Sequence, residues 1–352
     1  MGIIVRGYGK TKDGKEVKSY ILTNKNGMEA EFLDYGAVLL RLLVPDKNGK
    51  LADVVLGYDS VAGYEETTTA FGGFIGRNAN RLGGGIAVIN GKEYTLEKND
   101  NGINNLHGGF TGYNKMMYEA EITEEEGEYM VEFSRLSPDG EQGFPGNIDI
   151  SVAYMLTDDN ELVIEYLAVP DEDTIINLTN HSYFNLAGHT SGSVLGQKVT
   201  IYADSFTPSD ANMIPTGEVC KVEGTPMDFR TAKKIGQDIG ADYEPLLLAG
   251  GYDHNYILNE VEEDSVELAA RAEDPVSGRV MEVYTNRPGM QFYTGNFLQG
   301  EKGGKEGMVY EKHGGFCFET QAYPDAPNKP DFPTTVVRAS EEFDSTTVYK
   351  FI

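Results

Sequence analysis

"IDISVAYML" (residues 148–156) and "ELVIEYLAV" (161–169) decide the fold. The first sets Ile148, Ile150, Val152 and Tyr154 at every second position, with Asp149 and Ser151 between them. The second repeats the pattern with Leu162, Ile164 and Tyr166 against Glu161 and Glu165. Successive side chains of a strand point to opposite faces, so a period of two marks a strand with one face in a core and one in water. Half-solvated strands of this kind build antiparallel sheets. "EYMVEFS" (128–134) alternates in the same way, and the acidic run "EITEEEGEYM" (121–130) reads as a solvated hairpin.

Outward from these strands the signals stay β. Asn26-Gly27, Asn48-Gly49, Asn90-Gly91 and Asp139-Gly140 offer the positive φ angles that tight hairpins require. Helical periodicity is scarce: "TAKKIGQDIG" (231–240) and "SVAGYEET" (60–67) are the two candidates for short helices. "YPDAPNKPDFP" (323–333) spaces four prolines three apart, which predicts an extended, polyproline-like surface loop because proline cannot donate to a ladder. No repeat and no linker divides the chain. The expected fold is all-β, a large antiparallel β-sandwich with a few short helices, forming a single domain over residues 1–352.

Composition narrows the function. The 352 residues carry 29 Lys+Arg against 56 Asp+Glu, a formal charge of −27. Such a surface repels polyanions, so nucleic acid and anionic lipid are poor partners and a phosphorylated substrate is disfavoured. Cys220 and Cys317 are the only cysteines, too few for a disulfide framework. The first twenty residues lack an apolar signal core, and no run approaches the roughly 20 residues of a membrane span. The expectation is a reducing, cytoplasmic protein, in which the sequons at Asn177 and Asn180 carry no glycan.

Five segments set polar groups among apolar residues or glycines: "GRNANR" with Arg77, Asn80 and Arg81; "NNLHGGF" with His107; "NLTNHSYFNLAG" with His181; "GGYDHNY" with Asp253 and His254; and "GGFCFETQAYP" with Glu319. Alternation in the last puts Phe316 and Phe318 on one face and Cys317, Glu319 and Gln321 on the other. Glu319 is therefore either a solvated group on an edge strand or a partly buried carboxylate with a raised pKa, suited to a general base. His181 is either a satisfied core histidine or a proton donor working near neutral pH. His107, beside Gly108-Gly109, is either a turn histidine or a group where backbone closely approaches a ligand. Arg77 and Arg81 lie four apart, so one can bind substrate while the other makes a structural ion pair. Asp253 and His254 would face opposite sides of a strand. No His-x-His or Cys-x-x-Cys spacing, phosphate loop or Gly-x-Ser-x-Gly elbow is present, so no metal or nucleotide cofactor is expected.

Taken in order, "GRNANR", "LHGG", "NLTNHSYFNL", "GYDHNY", "GMQFYTGNFL" and "FETQAYPD" resemble the aldose 1-epimerase (galactose mutarotase) family along nearly the whole chain. The resemblance implies a large antiparallel sandwich with an open sugar cleft and no cofactor. It implies Glu319 as general base, His181 as general acid, and His107 beside the ring oxygen as an auxiliary donor or polariser. It implies Asn80, Arg81, Asp253 and Gln291 as ligands of sugar hydroxyls, with Tyr183 helping to form the pocket. The partners implied are free aldoses such as galactose and glucose, handled by a monomer or homodimer. The alternatives are a hexose-phosphate 1-epimerase, which would need a cationic pocket, and a non-catalytic sugar-binding protein, which has no use for both His181 and Glu319. A glycosidase usually needs two paired carboxylates, whereas the acid here is a histidine.

Overall fold

The computed structural model describes residues 2–125, 127–259 and 265–352. Its largest sheet has nine antiparallel strands, and the pair read from the sequence lies inside it: Ile148–Leu156 sits between Glu128–Ser137 and Glu161–Pro170. Val152 faces Tyr166 and Tyr154 faces Ile164 in register, all four buried, while Asp149 and Glu165 point to water. The last strand, Phe343–Phe351, enters the middle of this sheet between Glu161–Pro170 and Val280–Thr285. The acidic run forms the expected hairpin, Glu119–Glu125 against Glu128–Ser137.

Two five-stranded antiparallel sheets cover the inner face. The first runs from Gly2–Lys10 to Leu51–Asp53, and its Tyr20 and Phe32 pack on Phe133 and Tyr154 of the large sheet. The second contains Asp253–Ile257, Gly289–Tyr293 and Cys317–Gln321, and it is tied to the large sheet by the Tyr349 hydroxyl, which donates to the Phe318 carbonyl at 2.9 Å. One buried apolar cluster joins the layers from Tyr20 to Phe351. The sandwich architecture is as expected.

The turns and helices depart from the sequence reading in instructive ways. Only Asn90-Gly91 has both residues at positive φ, 51° and 79°, in the two-residue hairpin between Ile86–Ile89 and Lys92–Thr95. At the other three sites only the glycine is left-handed, and Asp139-Gly140 lies in the longer connection 138–147. "SVAGYEET" does form a helix, Val61–Glu66, with Ser60 as its N-cap. "TAKKIGQDIG" does not. Lys233–Lys234 pairs instead with the sheet edge at Lys198 and Val199, and the Ile235 N–H donates to the Gln197 carbonyl. Two glycines weaken any helix there, and edge pairing satisfies the backbone. A helix missed from the sequence, Glu244–Ala249, carries the signature of Pro at its start and left-handed Gly250 at its end.

The proline segment is not an extended loop. Asp325 takes a left-handed conformation, and Ala326–Asn328 make a 3₁₀ turn. The buried Asp325 carboxylate accepts from the Gly83 N–H at 2.9 Å and pairs with Lys329 at 2.7 Å. The Asp325 N–H donates to the Arg81 carbonyl. Local hydrogen bonding outweighs the proline spacing, and the segment clamps the Arg81 loop.

Candidate active site

The second five-stranded sheet has two unlike faces. Register pairs Asp253 with Tyr293, Asn255 with Gln291, Gln291 with Glu319 and Tyr293 with Cys317. Alternation then gathers Asp253, Asn255, Gln291, Tyr293, Cys317, Glu319 and Gln321 on one side. His254, Tyr256, Phe292 and Phe318 take the other, which is core. Cys317–Gln321 is an edge strand by hydrogen bonding, yet Thr179–His181 packs beside it and leaves Glu319 2% exposed. The solvated edge-strand alternative for Glu319 is thereby overturned.

His181 ends the strand Thr179–His181, which pairs with Gly73–Ile75. Its ring stacks on Tyr183 at 5.0 Å and meets the His107 ring edge-on at 5.1 Å. Its Nε2 stands 3.6 Å from Glu319 Oε2, and its Nδ1 stands 3.6 Å from Cys317 Sγ. His107 is held in the left-handed region, φ 53°, a costly conformation that functional sites tolerate. A side chain on Gly108 would strike the Gly76 carbonyl at 2.2 Å, so the backbone can approach this closely only as glycine. The Asn80 N–H donates to His107 Nδ1 at 3.1 Å, so the neutral ring carries its proton on Nε2.

Asn80, Arg81, His107, His181, Tyr183, Asp253 and Glu319 all line one cavity of about 400 Å³. Gln291 does not line it. Its amide stands behind, donating to Asp253 Oδ1 at 2.7 Å. Arg77 is fully buried elsewhere and donates to the Pro145 and Gly146 carbonyls and the Ser137 hydroxyl, a structural role. Arg81 pairs with Asp100 at 2.9 Å. Asp100, Tyr293, Phe297 and Glu301 also line the cavity and were not singled out in the sequence. Tyr293 and Phe297 lie within the motif "GMQFYTGNFL", but Asp100 and Glu301 sit in turn-rich stretches without a pattern.

Burial drives the site's groups toward neutrality. It lowers the His181 pKa to about 4, against a weaker opposing pull from the residue's own backbone. It raises the Glu319 carboxyl well above its usual range, with the Asp253 charge adding to the effect and Arg81 opposing it. Asp253 is raised by the same desolvation, and His107 is lowered well below the ordinary imidazole value by burial and then by His181 and Arg81. Glu319 Oε2 has no hydrogen-bond partner although it is buried. A buried polar atom without a partner, on a residue that lines a cavity, points to a place where a ligand can supply the missing bond. His107, His181 and Glu319 offer ligand atoms within 4.8 Å of one another, a set that suits either proton transfer or a borderline divalent ion.

A protein-family model described as aldose 1-epimerase matches residues 18–350. Galactose mutarotase of Bos taurus is 44% identical over 324 residues, 92% of this chain and 91% of that protein. Aldose 1-epimerase of Escherichia coli (strain K12) is 37% identical over 343 residues, 97% of this chain and 96% of that protein. Among solved structures, galactose 1-epimerase from Lactobacillus acidophilus NCFM superposes with a TM-score of 0.86 at 28% identity, covering 100% of this chain and 98% of that one. No helix among the described residues is long and apolar enough to cross a membrane. Both cysteines are free.

Proposed function

This chain belongs to the aldose 1-epimerase family, and from that premise we propose that it interconverts the α and β anomers of free aldohexoses such as galactose and glucose, with Glu319 as base and His181 as acid. The protein is an isomerase, an aldose 1-epimerase. The observation that carries the assignment of roles is the facing pair, Glu319 Oε2 and His181 Nε2 at 3.6 Å on the cavity wall.

The pair holds one proton. With a closed ring bound, the active arrangement is a Glu319 carboxylate and a His181 imidazolium. Glu319 takes the anomeric hydroxyl proton, His181 gives its Nε2 proton to the ring oxygen, the C1–O5 bond breaks and an aldehyde forms. The open sugar therefore coexists with a protonated Glu319 and a neutral His181. That is the protonation state burial favours. Rotation about C1–C2 presents the other carbonyl face, and closure returns both protons. Each positioned acid or base contributes about 10²–10⁴-fold. His107, already donating from Nε2, polarises an oxygen without changing charge. Asp253, steadied by Gln291, accepts from hydroxyls, and Asn80 and Arg81 complete the grip.

Neutral sugars fit the electrostatics better than phosphorylated ones. Asp100, Asp253, Glu301 and Glu319 line the cavity against Arg81, the one guanidinium or ammonium among its described lining residues, and Arg81 is already paired. We read residues 1–352 as one domain, supported by the continuous apolar cluster, and its compartment as cytoplasmic, supported by the two free thiols. Polarimetry tests the function. EDTA-treated protein should accelerate the rotation change of freshly dissolved α-D-galactose or α-D-glucose and act poorly on glucose 6-phosphate. A preference for the phosphate would transfer the assignment to the hexose-phosphate reaction.

A further inference from the structure

We propose that Cys317 is a positioning residue for the acid, its sulfur accepting a hydrogen bond from His181 Nδ1–H so that Nε2 always faces the sugar. The inference rests on the reading of His181 as the acid and deepens it. The contact spans 3.6 Å between two buried groups, a normal length for a bond to sulfur. Both partners are fixed. Cys317 is held opposite Tyr293 in the sheet, and the neighbouring Phe316 exchanges backbone hydrogen bonds with Phe184, three residues from His181. Stacking on Tyr183 sets the plane of the imidazole.

The cycle shows why this bond matters. An imidazolium that gives its Nε2 proton to the ring oxygen is left as the Nδ1–H tautomer. Closure requires the bare Nε2 to take the proton back. If the ring relaxed to the Nε2–H tautomer while the sugar was open, it would meet the O5 hydroxyl with a donor and the return transfer would stall. An acceptor at Nδ1 prevents this, the role that a carboxylate plays behind the histidine of a hydrolase triad. A carboxylate here would also bind the positive charge and make His181 a weaker acid. A thiol sulfur accepts weakly from Nδ1–H without holding the proton, and Glu319, protonated while the sugar is open, faces Nε2 as a donor, so the two neighbours together disfavour a proton on Nε2. Burial keeps Cys317 a thiol rather than a thiolate.

The test joins spectroscopy to kinetics. Long-range ¹H–¹⁵N correlation spectra of the wild-type protein near pH 7 should show His181 as the Nδ1–H tautomer. Cys317→Ala should mix the tautomers and lower kcat about tenfold or more with KM little changed. Cys317→Ser keeps an acceptor and should recover most of both readouts. A wild-type spectrum dominated by Nε2–H overturns the proposal, even if Cys317→Ala does not fold. A folded Cys317→Ala with unchanged tautomer and kcat overturns it as well. In either case, a His181→Asn variant that still loses activity leaves the role of the acid standing, so the two readings fail separately.

Discussion

Replacing Glu319 by Gln should disable the enzyme while making it more stable. The side chain is 2% exposed, and its Oε2 lacks a partner. The amide keeps the shape, and its NH₂ can donate toward His181 Nε2 as a protonated carboxyl would. It cannot accept the anomeric proton at neutral pH, so kcat should fall by at least about 10²-fold, about 2.7 kcal/mol of transition-state stabilisation. The stability change follows from linkage. The folded pKa of Glu319 is raised, so its favourable contribution is present below the ordinary carboxylate value near 4.5 and is lost as pH rises through the folded value. Each unit of elevation costs about 1.4 kcal/mol above that range, and the amide carries no such penalty. For a chain of this size a gain of 1 kcal/mol raises Tm by about 1.4 °C. Polarimetry and thermal melts at pH 5 and pH 8 measure both effects: activity lost at each pH, and the Tm advantage of the variant larger at pH 8. A folded variant with near-normal kcat would refute the role of the base. A variant less stable at pH 8 than at pH 5, relative to wild type, would refute the buried-carboxylate reasoning.

Two further outcomes follow from the same geometry. Asp253→Asn should raise KM by about tenfold or more without unfolding, because hydrogen bonds to a charged acceptor contribute roughly 1.5–3 kcal/mol, and unchanged KM and kcat for both sugars would remove Asp253 from the site. The pH profile of kcat/KM in the free enzyme should be bell-shaped. It loses activity toward pH 4, where His181 gains a second proton, and again at high pH, where the pair loses its only one. A single limb centred near 6.5 would indicate an exposed histidine acting alone.

The strands were legible because their faces differ. Ile150, Val152 and Tyr154 could be assigned to a core from spacing alone, and the same alternation placed Cys317 and Glu319 together. What spacing could not tell was whether that second face met water or a cleft, since the covering strand Thr179–His181 lies far away in sequence. The motif order supplied His107, Asp253 and Arg81, but not the layering within the site. That Gln291 stands behind Asp253 depends on a hydrogen bond between two neighbouring strands. Arg77 looked equivalent to Arg81 four residues away, and only tertiary contacts with the 137–146 segment separate them. Helix and loop errors arose where local periodicity competed with tertiary hydrogen bonds, at Lys233–Lys234 and at Asp325.

The central claim is that Glu319 and His181 exchange protons with the sugar as one unit, and a double-mutant cycle on kcat tests it most directly. Glu319→Gln, His181→Asn and the double variant should all fold and bind galactose. Because neither transfer proceeds without the other, the double variant should be about as slow as the slower single variant. If the two losses in log kcat simply add, Glu319 and His181 act independently, and the shared-proton account is contradicted.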